Sequence, residues 1–128
     1  MLDEAQRKAA VTDYFNAIYA GEPAAVVARF TEDAVIEDPV GGPVRAGREA
    51  VEEFVALVIA SEMKVSVGTL VAAQDGTQAA VALSATFRDT LDENGRQVGV
   101  NAIAVFEVAD DARIRRLRVY WGISDVSL

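Results

Sequence analysis

Midway along the chain the period of the apolar residues changes, and that change restricts the fold more than any other feature. Before Lys64 the apolar residues recur at helical spacing. From Lys64 onward they fall into alternating or apolar extended runs, Lys64–Ala73, Thr77–Leu91, Gln97–Val108 and Arg113–Trp121, which read as four strands. Gln74-Asp75-Gly76, Asp92-Glu93-Asn94-Gly95 and Ala109-Asp110-Asp111 separate them as hairpin-type turns, so successive strands are expected to pair antiparallel. Helices first and a meander afterwards predict an α+β fold, three N-terminal helices packed on a curved, mainly antiparallel sheet. The strands carry many small side chains, as in Ala79-Ala80-Val81-Ala82 and Val100-Asn101-Ala102-Ile103-Ala104, which lets a sheet curve around a cavity.

Ahead of the strands, Val11, Tyr14, Phe15 and Ile18 share one helical stripe between Asp3, a candidate N-terminal cap, and Gly21, a candidate stop. Tyr14 on that stripe reads first as a core tyrosine; its buried hydroxyl still needs a partner, which a pocket ligand could supply. A second helix is expected from Glu22-Pro23 through Phe30, since proline is tolerated in a first turn. A third is expected from Gly47-Arg48-Glu49 to about Ser61. It carries Val51, Phe54, Val55 and Val58 on its apolar stripe and leaves Glu49, Glu52 and Glu53 toward solvent.

Between the second and third helices lies Asp33-Ala34-Val35-Ile36-Glu37-Asp38-Pro39-Val40-Gly41-Gly42. As a strand it places Ala34, Ile36 and Asp38 on one face and Val35 and Glu37 on the other. Pro39 removes the next amide donor and ends pairing, leaving Asp38 at a strand rim among apolar side chains. A partly dry carboxylate resists ionisation and becomes a stronger base, suited to proton abstraction near neutral pH. The competing reading is that Asp-Pro-x-Gly is a solvated turn.

The chain has 128 residues, enough for one domain spanning residues 1–128 with a sizeable core. It contains no Cys and no His, which excludes disulfides, thiolate nucleophiles, Ser-His-Asp relays and the usual zinc sites. Acid–base chemistry therefore falls to Asp, Glu, Tyr or Lys, and Lys8 and Lys64 both sit in polar neighbourhoods. No metal and no cofactor is expected. A net charge of −8 opposes binding to phosphate backbones and anionic lipid, so neither nucleic acid nor a membrane is expected as a partner. With no apolar run long enough to span a bilayer and no signal-peptide pattern, a cytoplasmic location is expected.

Tyr14, Ala20-Gly21, Phe30, Asp33-Ala34, Val35-Ile36-Glu37-Asp38-Pro39-Val40-Gly41, Arg45-Ala46-Gly47, Glu53-Phe54 and Tyr120-Trp121-Gly122 together resemble the Δ5-3-ketosteroid isomerases, within the large nuclear-transport-factor-like or SnoaL-like family. The most specific part is Tyr14 together with Glu37-Asp38-Pro39 at matching separation. The resemblance implies a cone-shaped α+β barrel, a homodimer, and a cofactor-independent isomerase that converts 3-oxo-Δ5-steroids to 3-oxo-Δ4-steroids through a dienolate. It implies Asp38 as the general base and Tyr14 as oxyanion donor, with Trp121, Ala104, Phe54 and Phe87 lining the steroid site. Buried, neutral acids that donate to the oxyanion are a known device of this family.

The sequence departs from the family at two positions. Ala104 stands where the family has a second oxyanion donor, an Asp, and Val55 stands where a tyrosine commonly supports the first phenol. Asn101 does not substitute, because it lies an odd number of residues from Ala104 and so faces the other way. Trp121 is a candidate replacement donor through its indole N–H, and only one of Tyr120 and Trp121 is expected on the concave side. Loss of a donor leaves open a steroid-binding or carrier protein of the same fold with little turnover. Another cone enzyme, such as a polyketide cyclase or an epoxide hydrolase, is a third reading.

Overall fold

In the computed structural model, which describes Met1–Leu128, helix α1 (Glu4–Ala20) opens on a reciprocal cap. The Asp3 carboxylate accepts the Gln6 backbone N–H at 2.7 Å, and the Gln6 side-chain oxygen accepts the Asp3 N–H at 2.9 Å. At the other end Gly21 adopts φ 74°, the left-handed conformation only glycine takes at no steric cost, and donates to the carbonyls of Ala17 and Ile18. The predicted stripe of Val11, Tyr14, Phe15 and Ile18 is buried throughout. Arg7, also buried, donates to the carbonyls of Ala73 at 2.9 Å and Gln78 at 2.7 Å, which ties α1 to the sheet.

Helix α2 (Pro23–Val27) is shorter than expected. Phe30 belongs instead to strand β1 (Phe30–Glu37), where its fully buried ring joins Ala34 and Ile36 on the inner face. Pairing along an entire strand edge outcompetes extension of a helix that has no side-chain cap. The sheet also includes β2 (Val44–Ala46), which the sequence did not announce. Helix α3 (Arg48–Ala60) buries Val51, Phe54 and Val55 and exposes Glu49, Glu52 and Glu53.

The run expected as one strand over Lys64–Ala73 is two, β3 (Lys64–Val67) and β4 (Val71–Ala72). The break falls at Gly68, whose N–H meets the Ala82 carbonyl at 2.9 Å; a Cβ there would stand 3.0 Å from that same oxygen. Strands β5 (Gln78–Arg88), β6 (Gln97–Val108) and β7 (Ile114–Tyr120) follow, then a 3-10 turn at Ile123–Asp125 and the short β8 (Val126–Ser127). The sheet has eight strands, ordered β2-β1-β7-β6-β5-β3, with β4 on β5 and β8 on β6. Every pairing is antiparallel except β1 with β7, which is parallel and brings the strand ahead of Asp38 beside the strand ahead of Trp121.

The helices cover the concave face of this sheet. Phe30, Ile36, Phe106, Ile114 and Leu117 are buried to 2% exposure or less, each contributing roughly 1.5–3 kcal/mol by leaving water. Between the helices and the sheet the core opens into a cavity.

Candidate active site

The cavity has a volume of about 560 Å³ and is lined mainly by apolar side chains. Helix α1 contributes Tyr14 and Phe15, α3 contributes Phe54, Leu57 and Val58, the sheet contributes Ala104, Phe106 and Val119 among others, and Trp121 enters from just beyond β7. All six residues named from the sequence, Asp38, Tyr14, Trp121, Ala104, Phe54 and Phe87, line this one space. The convex face of the sheet carries a separate, more open groove of about 570 Å³ lined by Ser84, Asn101, Ile103, Tyr120 and Asp125, where Tyr120 is 41% exposed and Asp125 accepts the Gly122 backbone N–H at 2.8 Å.

Asp38 reaches the cavity because of strand alternation. Ala34 and Ile36 are fully buried on the inner face of β1, and Asp38, one residue beyond the strand, continues that side while Glu37 turns outward to Arg116 and Arg118 at 3.1 and 3.4 Å. Asp38 is therefore not a solvated turn residue. Burial among apolar neighbours raises its pKa above the ordinary carboxylate value, while the Trp121 indole N–H and the positive charge of Arg45 pull it back. The indole nitrogen donates to Asp38 Oδ1 at 2.7 Å. The other carboxylate oxygen takes no hydrogen bond from the protein and is not sealed in the core, so it faces the cavity.

That contact corrects one expectation. The Trp121 N–H is engaged by the Asp38 carboxylate and is not free to replace a donor at Ala104. Tyr120 and Trp121 do point to opposite sides, Tyr120 into the outer groove and Trp121 into the cavity. Asn101 likewise lies on the outer face, accepting from the Ser84 hydroxyl at 2.8 Å, whereas Ala104 is 1% exposed on the inner wall.

Tyr14 is held by three edge-to-face aromatic contacts, with ring centroids 5.2 Å from Phe15, 5.5 Å from Phe30 and 5.5 Å from Phe106. The ring is fixed by packing and the hydroxyl is left without a protein partner, yet it is not enclosed; it opens into the cavity. Burial, with the Asp38 carboxylate adding to it, pushes the phenol well above its ordinary pKa, so it stays a neutral hydrogen-bond donor. Val55, at 1% exposure, packs in the core and gives this hydroxyl no support.

A SnoaL-like domain model matches residues 11–117. The chain belongs to the SnoaL-like family. Within it, a steroid Delta-isomerase from Nocardioides simplex is 36% identical over 122 residues, covering 95% of this chain and 94% of the relative. The epoxide hydrolase LasB from Streptomyces lasalocidi is 31% identical over 143 residues and 98% of this chain; the chain spans about half, 51%, of that protein. The solved structure of SalBIII, an epoxide hydrolase/cyclase-like enzyme in pyran ring formation in the polyether salinomycin, matches with a TM-score of 0.94 and 40% identity, over 97% of this chain and 96% of that one. The SnoaL-like fold thus hosts both isomerase and epoxide-opening relatives at similar distance from this sequence.

Sequence reasoning passed over two features of the site. Arg45 appeared only as part of a motif, although its partner across β1–β2, Ile36, is fully buried and that pairing predicts an inward side chain. The Trp121–Asp38 hydrogen bond joins residues 83 apart, and no local signal announces it.

Proposed function

We propose that the protein is a cofactor-independent steroid delta-isomerase in which Asp38 is the base and Tyr14 the oxyanion donor. The observation that carries this reading is a desolvated carboxylate with one free oxygen in the same apolar cavity as an unpartnered, neutral phenol. The identity with the Nocardioides steroid isomerase supports it. Asp38 takes a proton from C4 of a 3-oxo-Δ5-steroid. The C–H electron pair forms the C3–C4 double bond, and the carbonyl pair moves onto the C3 oxygen, where the Tyr14 hydroxyl stabilises the charge. The carboxylic acid then returns its proton to C6 and the carbonyl re-forms, leaving the double bond at C4–C5. Atoms and charge balance without a co-reactant. With a methyl group at Ala104, Tyr14 works alone, and turnover is expected to be modest.

The 40% identity with SalBIII favours a second reading on the same two residues. Asp38 would take the proton of an attacking hydroxyl while Tyr14 donates to the epoxide oxygen as its C–O bond breaks. Besides Asp38, Tyr14 and Trp121, the polar side chains in the wall are Arg45, Ser61, Arg88, Asp89 and Thr90, of which the Ser61 hydroxyl is committed to the Val58 carbonyl at 2.6 Å.

The test is ultraviolet detection of the conjugated enone from 5-androstene-3,17-dione, with wild type and Asp38→Asn. Wild type is expected to turn over, and the variant to lose roughly 10²–10⁴-fold. Near-normal rates in the variant refute Asp38 as base. Steroid binding without turnover points to a carrier, and turnover of a hydroxy-epoxide in its place points to the second reading.

A further inference from the structure

We propose that Arg45 is the recognition group for a carboxylate on the substrate, so that the cavity selects apolar, ring-bearing acids over their neutral counterparts. The inference rests on the cavity being the substrate site, but not on which reaction Asp38 performs.

Strand register puts Arg45 there. It lies opposite Ile36 in the antiparallel β1–β2 pair, and opposed residues share a face. Ile36 is fully buried on the side that carries Asp38, so Arg45 enters the same wall, whereas its neighbour Val44 is 61% exposed. The guanidinium carbon stands over the Phe54 ring, 5.8 Å from its centre, and both residues line the cavity.

Other arginines near by are committed within the fold. Arg48 pairs with Glu32 at 2.6 Å, Arg116 and Arg118 with Glu37, and Arg88, at the rim of the same cavity, with Glu62 at 3.4 Å and the Ala60 carbonyl at 3.3 Å. Arg45 has neither an ion-pair partner nor a hydrogen-bond acceptor in the protein. Asp38, the carboxylate within its electrostatic reach, is instead held by the Trp121 indole.

A half-buried guanidinium in a mostly apolar wall presents a planar fork of donors that no protein acceptor uses. It is matched by an acceptor with two coplanar oxygens. A carboxylate supplies these. Its single charge balances Arg45, whereas a dianionic phosphate would leave net negative charge next to Asp38. The rest of the wall, mostly hydrophobic, takes the ring body.

The experiment is calorimetric binding of two matched pairs, 2-naphthylacetic acid with its methyl ester and 3-oxo-4-androstene-17β-carboxylic acid with its methyl ester. Two sizes allow the carboxylate to reach Arg45 from different ring placements. The acid of at least one pair is expected to bind wild type about tenfold tighter than its ester, the worth of one charge-assisted hydrogen bond. Arg45→Gln and Arg45→Met, the latter keeping an aliphatic cover over Phe54, are each expected to erase the preference, and Arg88→Gln to leave it. Equal affinities for acid and ester in both pairs overturn the inference and leave the cavity reading standing. A preference that survives both Arg45 variants, or vanishes in Arg88→Gln, overturns the assignment to Arg45. If no member of either pair binds wild type, the substrate cavity falls and the inference with it.

Discussion

Tyr14→Phe separates the two roles of that side chain, and the structure says how each responds. The ring contributes three edge-to-face contacts, at 5.2, 5.5 and 5.5 Å, and phenylalanine retains all of them. The hydroxyl makes no hydrogen bond in the fold, so removing it breaks none. Stability should therefore change by less than about 0.5 kcal/mol, or rise, because an unpartnered polar group no longer has to leave water. Tyr14→Ala, by contrast, forfeits the ring and leaves a void, at a cost of about 3–5 kcal/mol. Catalysis should show the reverse pattern. On the proposed isomerase mechanism, with Ala104 offering no donor, the Tyr14 hydroxyl would be the principal hydrogen bond to the oxyanion, and its loss should lower kcat about 10²–10³-fold, or about 3–4 kcal/mol of transition-state stabilisation. The assays are urea denaturation at neutral pH and steady-state isomerisation of 5-androstene-3,17-dione. A stability loss above about 1 kcal/mol in Tyr14→Phe would mean that the hydroxyl has a structural partner. An unchanged kcat with a well-folded variant would remove Tyr14 from the oxyanion site.

Asp38 has a raised pKa in the fold, so its ionised form opposes folding. That cost is absent below its ordinary value of 3.8, grows as pH rises through the raised folded value, and is complete above it. Asp38→Asn should accordingly melt above wild type at neutral pH and converge with it in acid; equal melting temperatures at neutral pH would contradict the desolvation. Trp121→Phe deletes the N–H that stabilises the Asp38 carboxylate, so the acid limb of the pH–rate profile should move to higher pH, and an unmoved limb would mean that the 2.7 Å contact does not set the base. Ala104→Asp should place a protonated acid beside Tyr14 and raise kcat by up to about 10²–10³-fold; no gain at any pH, with folding and affinity intact, would show that position 104 does not face the oxyanion. Val67, Ile103 and Tyr120 leave an apolar patch on the outer sheet face, each at least 40% exposed, and we propose that a second copy covers it; a monomer by sedimentation at micromolar concentration would refute this.

Much of the architecture was legible because it depends on local periodicity. Val11, Tyr14, Phe15 and Ile18 had to share a helical face, Ala34, Ile36 and Asp38 a strand face, and Gly21 had to stop a helix, whatever the partners were. The errors fell where a distant residue decides. Helix α2 stops early because the Phe30 edge pairs with Ile114, and the Lys64–Ala73 run breaks because the Gly68 backbone meets Ala82. The short β2 and β8 exist only by pairing with β1 and β6 and carry no pattern of their own.

The site divides in the same way. The chain alone determined that acid–base chemistry must come from carboxylates, phenols or its two lysines, since it contains no His and no Cys, and that Asp38 would lie on the apolar side of its strand. The resemblance to the ketosteroid isomerases also marked Ala104 as the position where that family carries an acid. Only the tertiary structure decided that the Trp121 N–H goes to the Asp38 carboxylate, that the Tyr14 hydroxyl is left free in the same cavity, and that Arg45 enters the same wall unpaired. The reason is physical. Which face a side chain occupies follows from backbone periods of two or 3.6 residues, which neighbours a few positions apart encode. Which polar atom it meets there is set by the register between strands far apart in the chain, and register is a property of the assembled sheet.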